Sequence, residues 1–112
     1  MSSSMSTPSL EHWDIRHQGD VEWLPWGSQG NARVKILGEA DGYTVALIQA
    51  EAGYQTPEHE HAHAEFFYLI DGQIRNQGQQ MDSGDAYAAA SGSVHTDFQV
   101  ERPSTYLSIF RL

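Results

Sequence analysis

The chain of 112 residues has no cysteine, sets 6 Lys and Arg against 15 Asp and Glu, and carries a formal charge of -9. That length fits one domain able to bury roughly two thirds of its unfolded surface, and the lack of thiols excludes disulfides, thiolate metal sites and cysteine nucleophiles. The acidic balance disfavours nucleic acid and anionic membranes as partners; with no membrane-length apolar stretch and no basic, apolar leader in Met1 to Ser9, a soluble cytoplasmic protein is expected.

Met1 to Ser9, rich in serine, reads as a mobile tail, and residues 10–112 as a single domain. Leu10 to Gly30 holds all three tryptophans, Trp13, Trp23 and Trp26, around Pro25. Such a cluster suits an arm laid across the core or across a partner subunit. His12 and His17 read as ordinary surface histidines. Arg33 to Leu37 and Tyr43 to Ala50 alternate as strands, with Gly38 to Gly42 between them, and form an expected hairpin.

The stretch from Gly53 to Gly72 reads G(x)5HxH(x)3E(x)6G. In a strand, successive side chains face opposite ways, so His59 and His61 project from one face and can share an ion. His63 has the same parity and competes with them. Glu65 opens the next strand and brings a carboxylate beside the imidazoles, and His95 follows thirty residues later. Three imidazoles and a carboxylate suit one divalent transition metal, with Fe, Mn, Ni, Zn and Cu all acceptable, and leave one or two coordination positions open.

Phe66 to Ile70 is a continuous apolar run, expected where both faces of a strand are buried. Asp71-Gly72 reads as a hairpin turn from which Gln73 to Asn76 pairs back, and Gln77-Gly78 turns again. Asp82 to Asp85 leads into Ala86 to Ala90. His95 to Val100 and Thr105 to Arg111 close the chain, separated by Glu101 to Ser104. Many short strands, frequent glycine turns and no helical pattern predict an all-β, antiparallel double-sheet jelly roll. Inward side chains for a substrate pocket are assigned to Tyr43, Gln49, Tyr87, Phe98, Leu107 and Phe110. Lys35 is the single lysine. A phosphorylated sugar would therefore find little counter-charge.

These motifs resemble those of the cupins, small jelly-roll barrels defined by two sequence signatures. Gly53 to Gly72 reproduces the first signature in full. The second, G(x)5PxG(x)2H(x)3N, is met at Gly84, Gly92 and His95, with Ala90 in place of the proline and Gln99 in place of the asparagine. The resemblance implies a cupin barrel, His59, His61, Glu65 and His95 as metal ligands, and His63 in a turn with a surface or supporting role.

Within the family the chain is similar to small single-domain cupins related to acetylacetone and dihydroxyacetophenone dioxygenases, and to the cupin half of ChrR-type anti-sigma factors. The anti-sigma alternative calls for cysteines and a separate zinc-binding helical domain, which this sequence lacks. The resemblance therefore implies a metal-dependent, dioxygenase-type oxidoreductase, with iron as the metal, acting on a small enolisable or phenolic substrate. Its alternatives are a metal-assisted isomerase, cyclase or lyase and a noncatalytic small-molecule-binding barrel. It also implies a homodimer, with the tryptophan-rich segment at the interface.

Overall fold

Residues 7–112 are described by the computed structural model; the first six residues of the expected tail lie outside the described part, and residues 7–9 are exposed and irregular. The strands are β1 (Leu24–Pro25), β2 (Ala32–Ala40), β3 (Tyr43–Ala50), β4 (His59–Glu60), β5 (Glu65–Asn76), β6 (Gln79–Asp82), β7 (Ala86–Ala89), β8 (Val94–His95) and β9 (Phe98–Arg111), preceded by one 3-10 turn at Gln18–Asp20. All pairings are antiparallel. A large sheet runs β1-β2-β3-β9-β5-β6 with β7 also on β5, and β4 pairs with β8 in a small second sheet. The chain is thus an antiparallel double-sheet jelly roll. Among the described residues no helix is long and apolar enough to cross a membrane.

Two long strands organise the sheet, where the sequence suggests four short ones. β5 runs without interruption through Asp71-Gly72, and β9 runs through Pro103. Their mutual register shifts between Leu69 and Ile74, so each strand bends and serves two neighbourhoods. The front half of β5 lies between β7 and the end of β9, whereas its back half lies between β6 and the start of β9.

The same dipeptide plays two parts in this fold. Asp41 and Gly42 have φ values of 52° and 82° and join β2 to β3 in a two-residue turn, the positive-φ pair a type I′ hairpin requires. Asp71-Gly72 is instead a bulge. Gly72 has φ 121°, and a Cβ there would stand 2.1 Å from Ser104 Oγ and 2.6 Å from Ser104 Cα, so only glycine allows β9 to approach so closely. Pro103 falls in the gap of the β5–β9 register between Arg102 and Thr105, where no ladder position needs its missing N–H.

The core lies on one face of the large sheet. Val34, Ala46, Ile48, Phe67, Leu69, Ile74, Phe98, Val100 and Tyr106 form it, with Trp26 and Phe110 packed against it. Phe67, Phe98 and Tyr106 meet with ring centroids 4.8 to 5.8 Å apart, the spacing at which aromatic pairs add to simple burial. The run Phe66 to Ile70 is not buried on both faces: Phe67 and Leu69 point inward, while Phe66, Tyr68 and Ile70 are exposed.

The three tryptophans take different roles. Trp26 packs on Phe110 at 5.9 Å. Trp23 lies under Arg33 and Lys35 on the outer face, where Lys35 Nζ also donates to the Gln18 carbonyl at 2.9 Å. Trp13 sits on an arm whose Leu10 and Ile15 are exposed as well. That arm is held to the barrel by Arg16, which pairs with Asp14 and donates to the Ile36 carbonyl.

Candidate metal centre

The small sheet builds the centre. β4 and β8 set His59 directly opposite His95. His61 lies just past β4, where its backbone N–H donates to the Ser93 carbonyl at 2.8 Å and its carbonyl accepts from Gly92 at 2.7 Å. Glu65 is the first residue of β5 and faces the same space. Each of these four side chains offers one ligand atom, and the four atoms lie within 4.8 Å of one another. The imidazole centroids are 5.0, 5.1 and 5.3 Å apart. Ligand atoms about 2.1 Å from one ion sit about 3 to 4 Å apart, so the set closes on a metal with small side-chain movements.

Hydrogen bonds settle which nitrogen of each ring is free. His59 Nδ1 lies 2.9 Å from the Pro57 carbonyl; a carbonyl only accepts, so Nδ1 carries the proton and Nε2 keeps its lone pair. Ser93 Oγ spends its proton on the Ala90 carbonyl at 2.6 Å. His61 Nδ1, 2.9 Å from that hydroxyl, must therefore donate to it. His61 Nε2 is left as a lone pair 3.1 Å from Glu65 Oε1, itself an acceptor. Two acceptors that face each other need a cation between them, a proton or a metal ion. His95 Nε2 donates to the buried Asn76 Oδ1 at 2.5 Å. Its other nitrogen, Nδ1, is buried without a partner among the described residues. A metal ion would satisfy that orphaned atom, so the residues fit a divalent metal.

Burial lowers the His95 pKa below the ordinary imidazole value. The Glu65 carboxylate opposes that shift, and the neighbouring His59 and His61 add to it. A neutral ring is the ligating form, so the shift favours metal binding.

Above the four residues lies a cavity of about 340 Å³ walled by Trp26, Ile48, Tyr54, Phe98, Tyr106 and Phe110. Three of the six pocket residues assigned from sequence, Tyr87, Phe98 and Phe110, line it. Tyr43, Gln49 and Leu107 do not, and strand alternation is the reason. Ile48 pairs with Tyr106, Ala46 with Ser108 and Thr44 with Phe110 on the inner face, which turns the odd-numbered residues of β3 and β9 outward. Gln49 instead accepts from Arg33 at 2.7 Å on the outer side, and Tyr43 packs under Arg111. His63 is in the turn after His61 and borders the cavity without belonging to the cluster of four.

The turn of the second signature forms without its proline. Ser93 N–H reaches the Ala90 carbonyl at 3.1 Å, and Gly92 takes φ 88°, which is the geometry a glycine at the third turn position supplies. Gln99, in place of the asparagine, pairs with Arg75 and Asp97 outside the centre.

The ChrR cupin-like domain family model matches residues 13–111. No curated protein matches the chain in sequence. Among solved structures it is similar to an acetylacetone dioxygenase from Acinetobacter johnsonii, with 15% identity over 99% of this chain and 80% of that one and a TM-score of 0.73. It is similar to the polyketide cyclase RemF from Streptomyces resistomycificus, with 20% identity, coverage of 88% and 78%, and a TM-score of 0.71. It also matches the Rhodobacter sphaeroides complex of SigE with the anti-sigma ChrR, with 24% identity over 85% of this chain, about half (52%) of that one, and a TM-score of 0.70. These likenesses share the fold.

Asn76 is a supporting residue that motif spacing does not point to. Asn76→Ala is expected to weaken divalent-metal binding about 10- to 100-fold by freeing the His95 ring, measured by competition with a chromophoric chelator. Unchanged affinity would contradict a role for Asn76 in holding His95.

Proposed function

Because the chain belongs to the ChrR cupin-like family, we propose that it is a metal-dependent oxidoreductase of dioxygenase type acting on a small enolisable or phenolic compound. One observation carries the reading: three imidazoles with free lone pairs and one carboxylate form the floor of a small cavity with aromatic walls. A closed structural site would offer no such space.

When bound by His59, His61, Glu65 and His95, a divalent transition metal such as iron supplies Lewis acidity and redox chemistry beside the substrate. The chain's own residues supply the rest. A cavity of about 340 Å³ is at the small end of ligand sites. Trp26, Tyr54, Phe98 and Phe110 would grip the flat body of an enol or phenol and exclude water, and orient its oxygen toward the floor. Ser93 and Asn76 keep the His61 and His95 protons on the sides away from those free lone pairs. The single lysine lies on the outer face against Trp23 and Gln18, and Arg111 is the one Lys or Arg at the cavity. That favours a substrate with little negative charge over a phosphorylated one.

The similarity to an acetylacetone dioxygenase supports an enolisable diketone as substrate, and the similarity to a polyketide cyclase supports a metal-assisted cyclase, isomerase or lyase as the second reading. Oxygen uptake by the Fe(II)-loaded protein over a panel of diketones, phenols and flavonols separates them. Dioxygenase activity predicts stoichiometric oxygen loss with at least one compound class. Turnover under anaerobic conditions with zinc would move the assignment to the second reading. Ligand-induced stabilisation without any product would make the barrel a binding protein.

We propose also that the protein is a homodimer. The support is the row Phe66, Tyr68 and Ile70 exposed on the outer face of β5, whose ladder partners include Leu107 and Ile109 on β9 and Ala86 and Ala88 on β7, together with the exposed Leu10, Trp13 and Ile15 of the arm. Exposed apolar surface of this kind marks association sites. Light scattering at micromolar concentration should give the mass of two chains, and Tyr68→Asp that of one. A monomeric wild type would contradict the proposal.

A further inference from the structure

The two oxygens of Glu65 have different partners. Oε1 faces the lone pair of His61 Nε2 at 3.1 Å. Oε2 accepts a short hydrogen bond from the phenol of Tyr87. We infer that Tyr87 is a positioning residue for the metal centre, holding Glu65 by one oxygen so that the carboxylate can ligate only through the other. This rests on the metal reading above and adds a coordination mode to it.

The strands fix the contact. β7 sets Ala89 opposite Glu65 and Tyr87 opposite Phe67, so Glu65 and Tyr87 are diagonal neighbours, within reach of a long aromatic side chain. Two ring contacts orient the side chain: it stacks on Phe67 at 4.7 Å with planes 6° apart and meets the His95 ring edge-on at 6.0 Å. The phenol O–H donates to a carboxylate oxygen, the stronger class of hydrogen bond.

With a metal held by the four side chains, Glu65 would ligate through Oε1, the oxygen that faces His61 Nε2, while Oε2 stays with Tyr87. With Oε2 so occupied, Glu65 supplies one donor atom instead of two. One more coordination position stays open for substrate than a bidentate carboxylate would allow.

Cobalt(II) is the probe, because the intensity of its visible bands falls as coordination number rises. Wild type is titrated first, and then Tyr87→Phe, which keeps the ring and its stacking. The inference predicts about tenfold weaker Co(II) binding and weaker visible bands in the variant. In a Glu65→Ala background, which has no side-chain oxygen to accept from Tyr87, the same substitution should change neither quantity. Equal affinity and spectrum in wild type and Tyr87→Phe would overturn the inference, as would an undiminished effect in Glu65→Ala. Should Tyr87→Phe not fold, 3-fluorotyrosine at position 87, a stronger donor of nearly the same shape, must shift the Co(II) bands, and unshifted bands overturn it. Failure of the wild type to bind Co(II) would remove the metal reading itself.

Discussion

Each of three imidazoles is held by an oxygen outside the cluster: the Pro57 carbonyl for His59, the Ser93 hydroxyl for His61 and the Asn76 amide for His95. The consequence is electrostatic. Their free lone pairs converge with the Glu65 carboxylate in a space where two acceptors already face each other at 3.1 Å and one buried nitrogen has no partner among the described residues. Leaving such groups unpaired costs about 1 to 3 kcal/mol each. A divalent cation would answer all of them at once, so the polar floor of the cavity is suited to hold one.

The bends in β5 and β9 make that floor accessible. A flat sheet would put Glu65 and the back of β5 in one plane, with no concave side for a substrate. The bulge at Gly72 and the register gap at Pro103 turn the two longest strands together, and the inner residues Phe67, Phe98 and Tyr106 fill the resulting curve with edge-to-face and tilted rings. Gly72 belongs to the first signature at a distance from the ligands. Its contribution is to let Ser104 approach, so it keeps the curvature on which the cavity depends.

How much of this is legible in sequence follows the range of the interaction concerned. His59, His61 and Glu65 fall within seven residues, and local strand and turn geometry brings them together. The hairpins at Gln77-Gly78 and Asp41-Gly42 are equally local, although β2 continues through Gly38 to Ala40 where a loop is expected. Asp71-Gly72 carries the same turn signal and forms no turn, because the deciding contact is with Ser104, far along the chain. The pocket assignment missed on strand face: Leu107 and Phe110 are three apart on β9 and must face opposite ways, and Tyr43 and Gln49 share the outward parity of β3, a choice of face that only the long-range pairing with β9 settles. Asn76 and Ser93 were invisible for the same reason, standing 19 and 32 residues from the histidines they hold.

The central claim is that the cluster of four side chains binds one metal ion. Elemental analysis of protein purified without added metal, followed by anaerobic titration of the stripped protein with Fe(II) or Co(II), tests it directly. The account predicts a single saturable equivalent per chain, with a melting temperature that climbs as metal is added, since a ligand present at about 100 times its Kd stabilises the folded state by about 2.7 kcal/mol. Replacement of His61 and His95 by alanine should abolish both effects. No bound metal, or binding that survives the loss of both histidines, would contradict the account.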